Sequence, residues 1–559
     1  MPSNFREEKT EHKLQLLRHK EEEENVERIA KQYKLPYADL SIFPIEVDAI
    51  KLVPEGSAKQ AELAAFQVTG WNLKIALRNP ENPLAKKILR DLGEQHYQCG
   101  LYLVSKRSLE HAWEFYKKIP LAEAAEAGAI QLHEERLTAL SKELTDLAGI
   151  KSAMENASSG HTTEILEIIL AGALATDSSD IHIEPQEKEV RLRFRLDGVL
   201  HEIARISEKL YHLLLSRIKL ISELKLNVHD RAQDGRFTIH TQGIDIEVRS
   251  SILPGPDGEN VVLRILNPKS LDLKFEDLGM QPWIRETMEK ELKKPNGMIV
   301  TTGPTGSGKT TTLYTILKKI HSPEIKIITL EDPIEYHLPG VEQTQVDAAK
   351  GYDFPKGLRA IVRQDPDVIL VGEIRDLETA DTAINAALTG HLVFSTLHTN
   401  NAAGAVPRLV NLGVKPNSIA PAINVVMAQR LVRKLCPHCR LKQTLTDPQK
   451  QEIQKELDQF PKDIQTPKDN EWNIFSAKPD GCPSCNDMGY KGRISIFEII
   501  LMDDAMEELI LKNPSEYEIK KEAARQGQIT LPQDGLLKVL GGITDFAEVE
   551  RATGTRVLS

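Results

Sequence analysis

Apolar residues recur along this chain in two rhythms, every third or fourth position in some stretches and every second position or unbroken in others, and the changes of rhythm divide it. From Asn25 to about Ile119 the pattern predicts a helix through Val26, Ile29 and Ala30, strands at "WNLKIALRN" and "CGLYLVS", and a helix through "SLEHAWEFYKKI". This is a small α/β domain over 25–119. Leucines at 137, 140, 144 and 147 then suit one side of a helix, either a coiled coil or, more blandly, a linker helix docked by one face, within 120–157. "TTEILEIILAGALATDSSDIHIEPQEKEVRLRFRLDGVL" gives a capped start at Thr162 or Thr163, an apolar helix, and two alternating strands around a turn. That domain continues through "IDIEVRSSILPGPDGENVVLRIL", which reads as a hairpin, and spans 158–275. Over 276–435 strands alternate with helices, the pattern of a mostly parallel sheet. A cysteine-bearing segment, 436–485, and a polar helical region, 486–559, follow, with no internal repeat.

Composition and charge narrow the class. The 559 residues suffice for three or four domains, and 40% hydrophobic residues are ample for real cores. Residues 1–24, ending in "HKEEEE", are too charged to build a core and read as a flexible arm. A formal net charge of -11 argues against a general grip on nucleic acid, which needs clustered Lys and Arg, and favours protein partners. With no signal-peptide pattern and no run of 18 apolar residues, the expected compartment is the cytoplasm. Four of the five cysteines form two C-x-x-C pairs, which in a reducing compartment reads as metal and not disulfide.

One stretch carries chemistry outright. In "MIVTTGPTGSGKTTTLYTILKKI", Gly303, Gly308, Lys309 and Thr310 fit G-x-x-x-x-G-K-[ST], entered by the apolar strand Met298 to Val300 and followed by Leu313, Ile316, Leu317 and Ile320 at helical spacing. The candidate nucleotide-binding residues are Gly303, Pro304, Thr305, Gly306, Ser307, Gly308, Lys309, Thr310 and Thr311. Backbone N–H groups close around phosphate, the helix N-terminus and Lys309 add positive charge, and the Thr310 hydroxyl is suited to Mg²⁺.

Three later strands end in polar groups. "KIITLEDPIEY" ends in Glu331, Asp332 and Glu335, and "DVILVGEIRD" in Gly372 and Glu373, which puts carboxylates at the carboxyl edge of a parallel sheet. "TGHLVFSTLHTN" carries His391 and His398 at either end of an apolar strand; each reads as a structural histidine or as a site residue. "VRLRFRLDG" sets Arg191, Arg193 and Arg195 on one strand face, where three like charges need an anion: either local carboxylates in a solvated sheet face or a phosphate. Cys436, Cys439, Cys482 and Cys485 form two knuckles 42 residues apart, able to close a tetrahedral structural Zn²⁺ site, with His438 as a substitute ligand within the first. The segment between them has little apolar content of its own, and Cys99 reads as a small buried hydrophobe.

Together "GPTGSGKT", "LEDPIEY", "RQDPDVILVGEIRD" and "TGHLVFSTLHTN" resemble the Walker A, Asp box, Walker B and His box of the secretion-superfamily ATPases, closest to the type II secretion and type IV pilus assembly branch. "LPYADLSIFPIEVDAIKLVPE" resembles that family's N-terminal domain more weakly. The resemblance implies an α/β chain: a RecA-like P-loop ATPase domain preceded by a PAS-like α+β domain, with an N-terminal α/β domain and a zinc-binding insert. It implies a homohexameric ATPase using ATP, Mg²⁺ and Zn²⁺, acting through an inner-membrane platform protein and an adaptor, peripheral to the membrane. By motif, Lys309 and Thr310 hold phosphate and Mg²⁺, Glu331 is the favoured catalytic carboxylate with Glu373 the open alternative, and His391 and His398 line the site. Arg191, Arg193, Arg195, Arg217, Arg231 and Arg236 match arginine-bearing positions of the second domain, with Arg193, Arg195 and Arg217 the candidate catalytic arginines that neutralise the γ-phosphate. A nucleotide-gated scaffold and a pilus-retraction ATPase are the rival expectations.

Overall fold

The computed structural model describes residues 22–23, 25–118, 129–130 and 140–556, except 41–42, 44, 47–48, 51, 70–71, 95–96, 141–142, 145, 157–161, 242–243 and 463. The charged arm, apart from residues 22–23, and most of the leucine-spaced helix expected after residue 120 therefore lie outside the described residues. Two compact units emerge, Met1–Ile130 and Gln131–Ser559.

In the first unit, β1 (Leu63–Thr69) pairs antiparallel with β2 (Asn72–Leu77), which pairs parallel with β3 (Gln98–Leu103). β2, β3 and the helix Lys106–Glu114 fall where the pattern predicts them. β1 was not anticipated, because "LAAFQVT" shows no apolar-polar alternation; Leu63, Ala64, Ala65 and Phe66 are all buried. Cys99 packs partly buried against this core.

The second unit begins with the helices Leu147–Asn156, Thr162–Ala175 and Glu208–Ile221, which pack on one another. Beside them β4 (Asp180–Pro185), β5 (Val190–Leu196), β6 (Val199–Ile206), β7 (Gln233–Thr241), β8 (Ile244–Gly255) and β9 (Gly258–Leu266) form an antiparallel sheet in the order β7-β8-β9-β4-β5-β6. Burial along β5 alternates strictly, with Val190, Leu192, Phe194 and Leu196 inward and the three arginines on the other face. The arrangement is α+β.

A seven-stranded sheet follows: β10 (Gly297–Thr302), β11 (Ile327–Glu331), β12 (Glu342–Gln345), β13 (Val368–Val371), β14 (Leu392–Leu397), β15 (Ile423–Leu435) and β16 (Tyr490–Leu501), in the order β12-β11-β13-β14-β10-β15-β16. All neighbours are parallel except β15 and β16. The central strands are buried without interruption because both faces are covered. Thus Met298 and Val300 of β10 enter one core and Ile299 the other.

One expectation is corrected here. Residues 486–559 are not wholly helical: β16 adds a twelve-residue strand to the ATPase sheet before four helices, so that sheet reaches past residue 435. "YKGRISIFEII" carries a strand pattern, Ile494, Ile496, Ile499 and Ile500 with Phe497, that its polar flanks conceal. The segment between the cysteine pairs, of little apolar content, still places Ile453, Leu457, Phe460 and Ile474 in the main cluster with Leu531, Leu536 and Leu540.

Candidate nucleotide site and metal centre

The loop after β10 turns on glycines that no other residue replaces freely. Gly303, Gly306 and Gly308 have φ of 148°, 79° and 88°, a region side chains avoid. A Cβ on Gly303 would also lie 2.6 Å from Ser307 Oγ and 2.7 Å from the Gln429 carbonyl oxygen. Gly308 caps the helix Lys309–Ile320 in the left-handed conformation, which aims the first N–H groups at the loop's hollow. Ser307 Oγ is buried there with no partner among the described residues, and Thr310 is exposed. A free hydroxyl and an exposed one at a helix N-terminus fit a bound phosphate and its Mg²⁺.

Lys309 Nζ donates to the Gly303 and Pro304 carbonyl oxygens, at 2.7 and 3.1 Å. Burial pulls its pKa down to about 8, against an upward pull from Glu373 and with Arg430 adding to the fall. A triphosphate would restore the cation, so the sign of the pH effect follows. Below about pH 8 Lys309 is charged with or without nucleotide; above it, binding must take up a proton. ATP affinity is expected to weaken as pH rises from 8 to 9.5, by up to about tenfold per unit. Equilibrium binding across that range, with calorimetry in two buffers for the proton uptake, would refute this if affinity stayed flat.

The P-loop opens on a cavity of about 390 Å³ lined by Thr305 to Thr311, Glu331, Glu373, His398, Ser179, Arg264 and Arg493, among others. A second of about 610 Å³ adjoins it, sharing Gly308, Thr311, Leu431 and Arg493 and adding Leu174, Asp177, Asn267, Leu273 and Ile494. The structure thus gathers Lys309, Thr310, Thr311, Glu331, Glu373 and His398 on one hollow. Glu373 faces His398 Nε2 at 3.2 Å and pairs with Arg375. Burial pushes the Glu373 carboxyl up, but Arg375 and His398 outweigh it and hold it below the usual range. Glu331 is engaged elsewhere: Tyr314 donates to Oε2, and Thr329 Oγ1 and Gln343 Nε2 to Oε1 at 2.6 and 3.2 Å. Burial, then Glu331, push the Tyr314 hydroxyl up, so it stays protonated and donates.

His391 is not brought to this hollow. It precedes β14, whose other end carries His398, and a six-residue strand separates them by roughly 20 Å. Its Nδ1 lies 2.9 Å from the Ala386 carbonyl oxygen, the structural alternative.

The three alternating arginines find their anions within the sheet. Arg193 pairs with Glu184 at 2.6 Å, Arg195 with Asp180 at 3.1 Å, and Arg191 with Glu202 at 3.7 Å. β4 and β6 flank β5 and present these carboxylates on the same face. Arg217 is partly buried on its helix, with Nε unpartnered among the described residues, while Arg231 and Arg236 are exposed; none of the three lines the P-loop hollow. The arginines that reach this hollow are Arg264 of β9 and Arg493 of β16. Arg264 Nε donates to Asp180 at 3.0 Å. Burial pushes the Asp180 carboxyl up, yet Arg264, Ser179 and Arg195 together hold it below its ordinary value. Arg249 of β8 bonds Glu335 at 3.0 Å and the Ile334 carbonyl, tying the sheet to the loop after Glu331. The signals were single arginines in apolar strands, "VVLRIL" and "IEVRSS", less conspicuous than a row of three.

The four cysteines meet: their sulfurs all lie within 4.8 Å of one another, and Cys436 to Cys482, Cys439 to Cys485 and Cys482 to Cys485 are each 3.8 Å. Tetrahedral Zn–S bonds of about 2.3 Å place sulfurs roughly 3.8 Å apart, so the cluster fits the ion.

Residues 155–551 match the family model of type II/IV secretion system proteins, and residues 33–122 match the MshEN domain. The type IV pilus assembly ATPase PilB of Myxococcus xanthus is 37% identical over 95% of this chain and 91% of its own length. The type II secretion system ATPase E of Vibrio cholerae is 39% identical over 84% of this chain and 94% of its own. Among solved structures, the Yersinia pseudotuberculosis ATPase DotB superposes with a TM-score of 0.52 at 20% identity, covering 71% of this chain and 96% of that one, a likeness of fold.

Proposed function

The chain belongs to the family of type II/IV secretion system proteins and is an ATP hydrolase, and from that premise we propose that it is a hexameric motor. It drives assembly of a type IV pilus or a type II secretion pseudopilus through an inner-membrane platform protein and its adaptor. Among the described residues no helix is long and apolar enough to cross a membrane; we place the motor at the cytoplasmic face, held by partners. The observation that carries the reading is the P-loop hollow whose walls come from both the antiparallel domain and the ATPase sheet. Phosphates lie against the loop, and the exposed Thr310 hydroxyl would hold Mg²⁺, which would neutralise phosphate charge there. The nucleoside occupies the adjoining cavity, against Leu174, Leu273 and Ile494. Water attacks the γ-phosphorus, Glu331 accepts its proton, and the β–γ bridging oxygen leaves with ADP; Glu373, beside His398, would help hold the Mg²⁺. Loss of the γ-phosphate removes the charge that Arg264 faces, so the two domains part: hydrolysis becomes displacement.

A scaffold that binds ATP without turning it over predicts occupancy and no phosphate release. Steady-state hydrolysis by the assembled protein separates the two, and the arginines sharpen the test. Arg264→Ala is expected to cut turnover by about 10² or more, as loss of a phosphate-facing arginine does. Arg191→Ala, which breaks a pair more than a third exposed, should change stability by at most about 1 kcal/mol, and both it and Arg193→Ala should leave turnover near wild type. The reverse ranking would return the nucleotide contact to the row of three.

A further inference from the structure

Glu331 ends β11 at the carboxyl edge, yet its carboxylate does not project from that edge. It folds back along the strand to Thr329, two residues earlier on the same face, and takes one hydroxyl from β11 itself and another from Tyr314 on the helix that the P-loop starts. Glu331 is 4% exposed, Tyr314 and Thr329 0%. With protein donors on both oxygens and the side chain buried, the carboxylate has less capacity to take a proton from water beside the phosphate.

We propose that Tyr314 and Thr329 are positioning residues that hold Glu331 withdrawn, so that hydrolysis waits on its release toward the P-loop hollow. The inference rests on the reading of Glu331 as the base. Hydroxyl bonds to a carboxylate are strong, and each one removed shifts the balance between withdrawn and outward poses. The third donor suggests how release occurs. Gln343, on β12, also donates to the Tyr336 carbonyl oxygen at 3.0 Å and accepts from the Leu338 N–H at 2.7 Å, within the loop that follows Glu331. Arg249 grips that same loop from the other domain. Displacing the loop pulls one donor off the carboxylate, which links the base to domain closure.

Single-turnover hydrolysis by the assembled full chain tests this, with ATP binding measured in parallel. Tyr314→Phe keeps the ring and removes the hydroxyl; Thr329→Val is isosteric in a buried strand and serves should the first variant not fold. Each is expected to raise the single-turnover rate, on the order of tenfold, with ATP affinity unchanged. The gain should vanish when Glu331→Gln is added, which a general loosening of structure would not do. An unchanged or lower rate in the folded variants, with Glu331→Gln inactive, overturns the latch and leaves the base assignment standing. Wild-type turnover by Glu331→Gln overturns both.

Discussion

Lys309→Ala is expected to abolish ATP binding, and Glu331→Gln to keep the nucleotide while losing hydrolysis by about 10²–10⁴, the usual contribution of a general base. The two changes differ in when the group is needed. Lys309 supplies the charge that meets the phosphates on arrival, and its ammonium bonds the loop carbonyls of Gly303 and Pro304. Alanine there removes both the charge and the side chain that braces the loop. Glu331 acts after the nucleotide is seated, so its amide variant should trap ATP. Nucleotide affinity and turnover, measured together, separate these steps. Should Glu331→Gln hydrolyse ATP at the wild-type rate, the base is Glu373, whose carboxylate already faces the hollow with His398.

Zinc is expected at one ion per subunit, and its loss should unfold far more than the two knuckles. The first knuckle leads directly out of β15, and the segment between the pairs is stitched to the last helices: Leu435 N–H donates to the Ile543 carbonyl at 2.8 Å, Asn473 N–H to Leu540 at 2.8 Å and Arg440 to Gly542 at 2.6 Å. Ile453, Leu457, Phe460 and Ile474 then fill a core shared with those helices. Structural zinc in small modules carries an apparent ~10–16 kcal/mol, all of it lost to folding when the ion leaves. Chelation, or Cys485→Ser, should therefore lower the melting temperature by many degrees and open residues 436–556 to protease, with nucleotide chemistry failing as a consequence. Elemental analysis finding no zinc in protein purified without chelator would sink this expectation, as would chelation that leaves the melting curve unmoved.

What the sequence determined by itself was whatever depends on neighbours in the chain. Glycines at 303, 306 and 308, the lysine and hydroxyls after them, and an apolar strand before them specify a phosphate loop, because its geometry is set by backbone freedom within a dozen residues. The acids ending β11 and β13, and the alternation along β5, were legible for the same reason: strand period fixes which residues share an edge or a face. Two cysteine pairs announced their ligand chemistry wherever the chain might carry them. Tertiary structure alone decided which charges meet. Asp180, Glu184 and Glu202 answered the arginine row because β4 and β6 flank β5, whereas Arg264 and Arg493, 229 positions apart, came to the P-loop hollow through domain packing. It also decided that β16 joins the ATPase sheet from beyond the cysteines. Above all it decided the pose of Glu331, whose identity was plain from its strand but whose carboxylate is turned inward by Tyr314, Thr329 and Gln343. Two of these three donors come from other elements, and a buried carboxylate goes where its hydrogen bonds are, which only the packing of those elements determines.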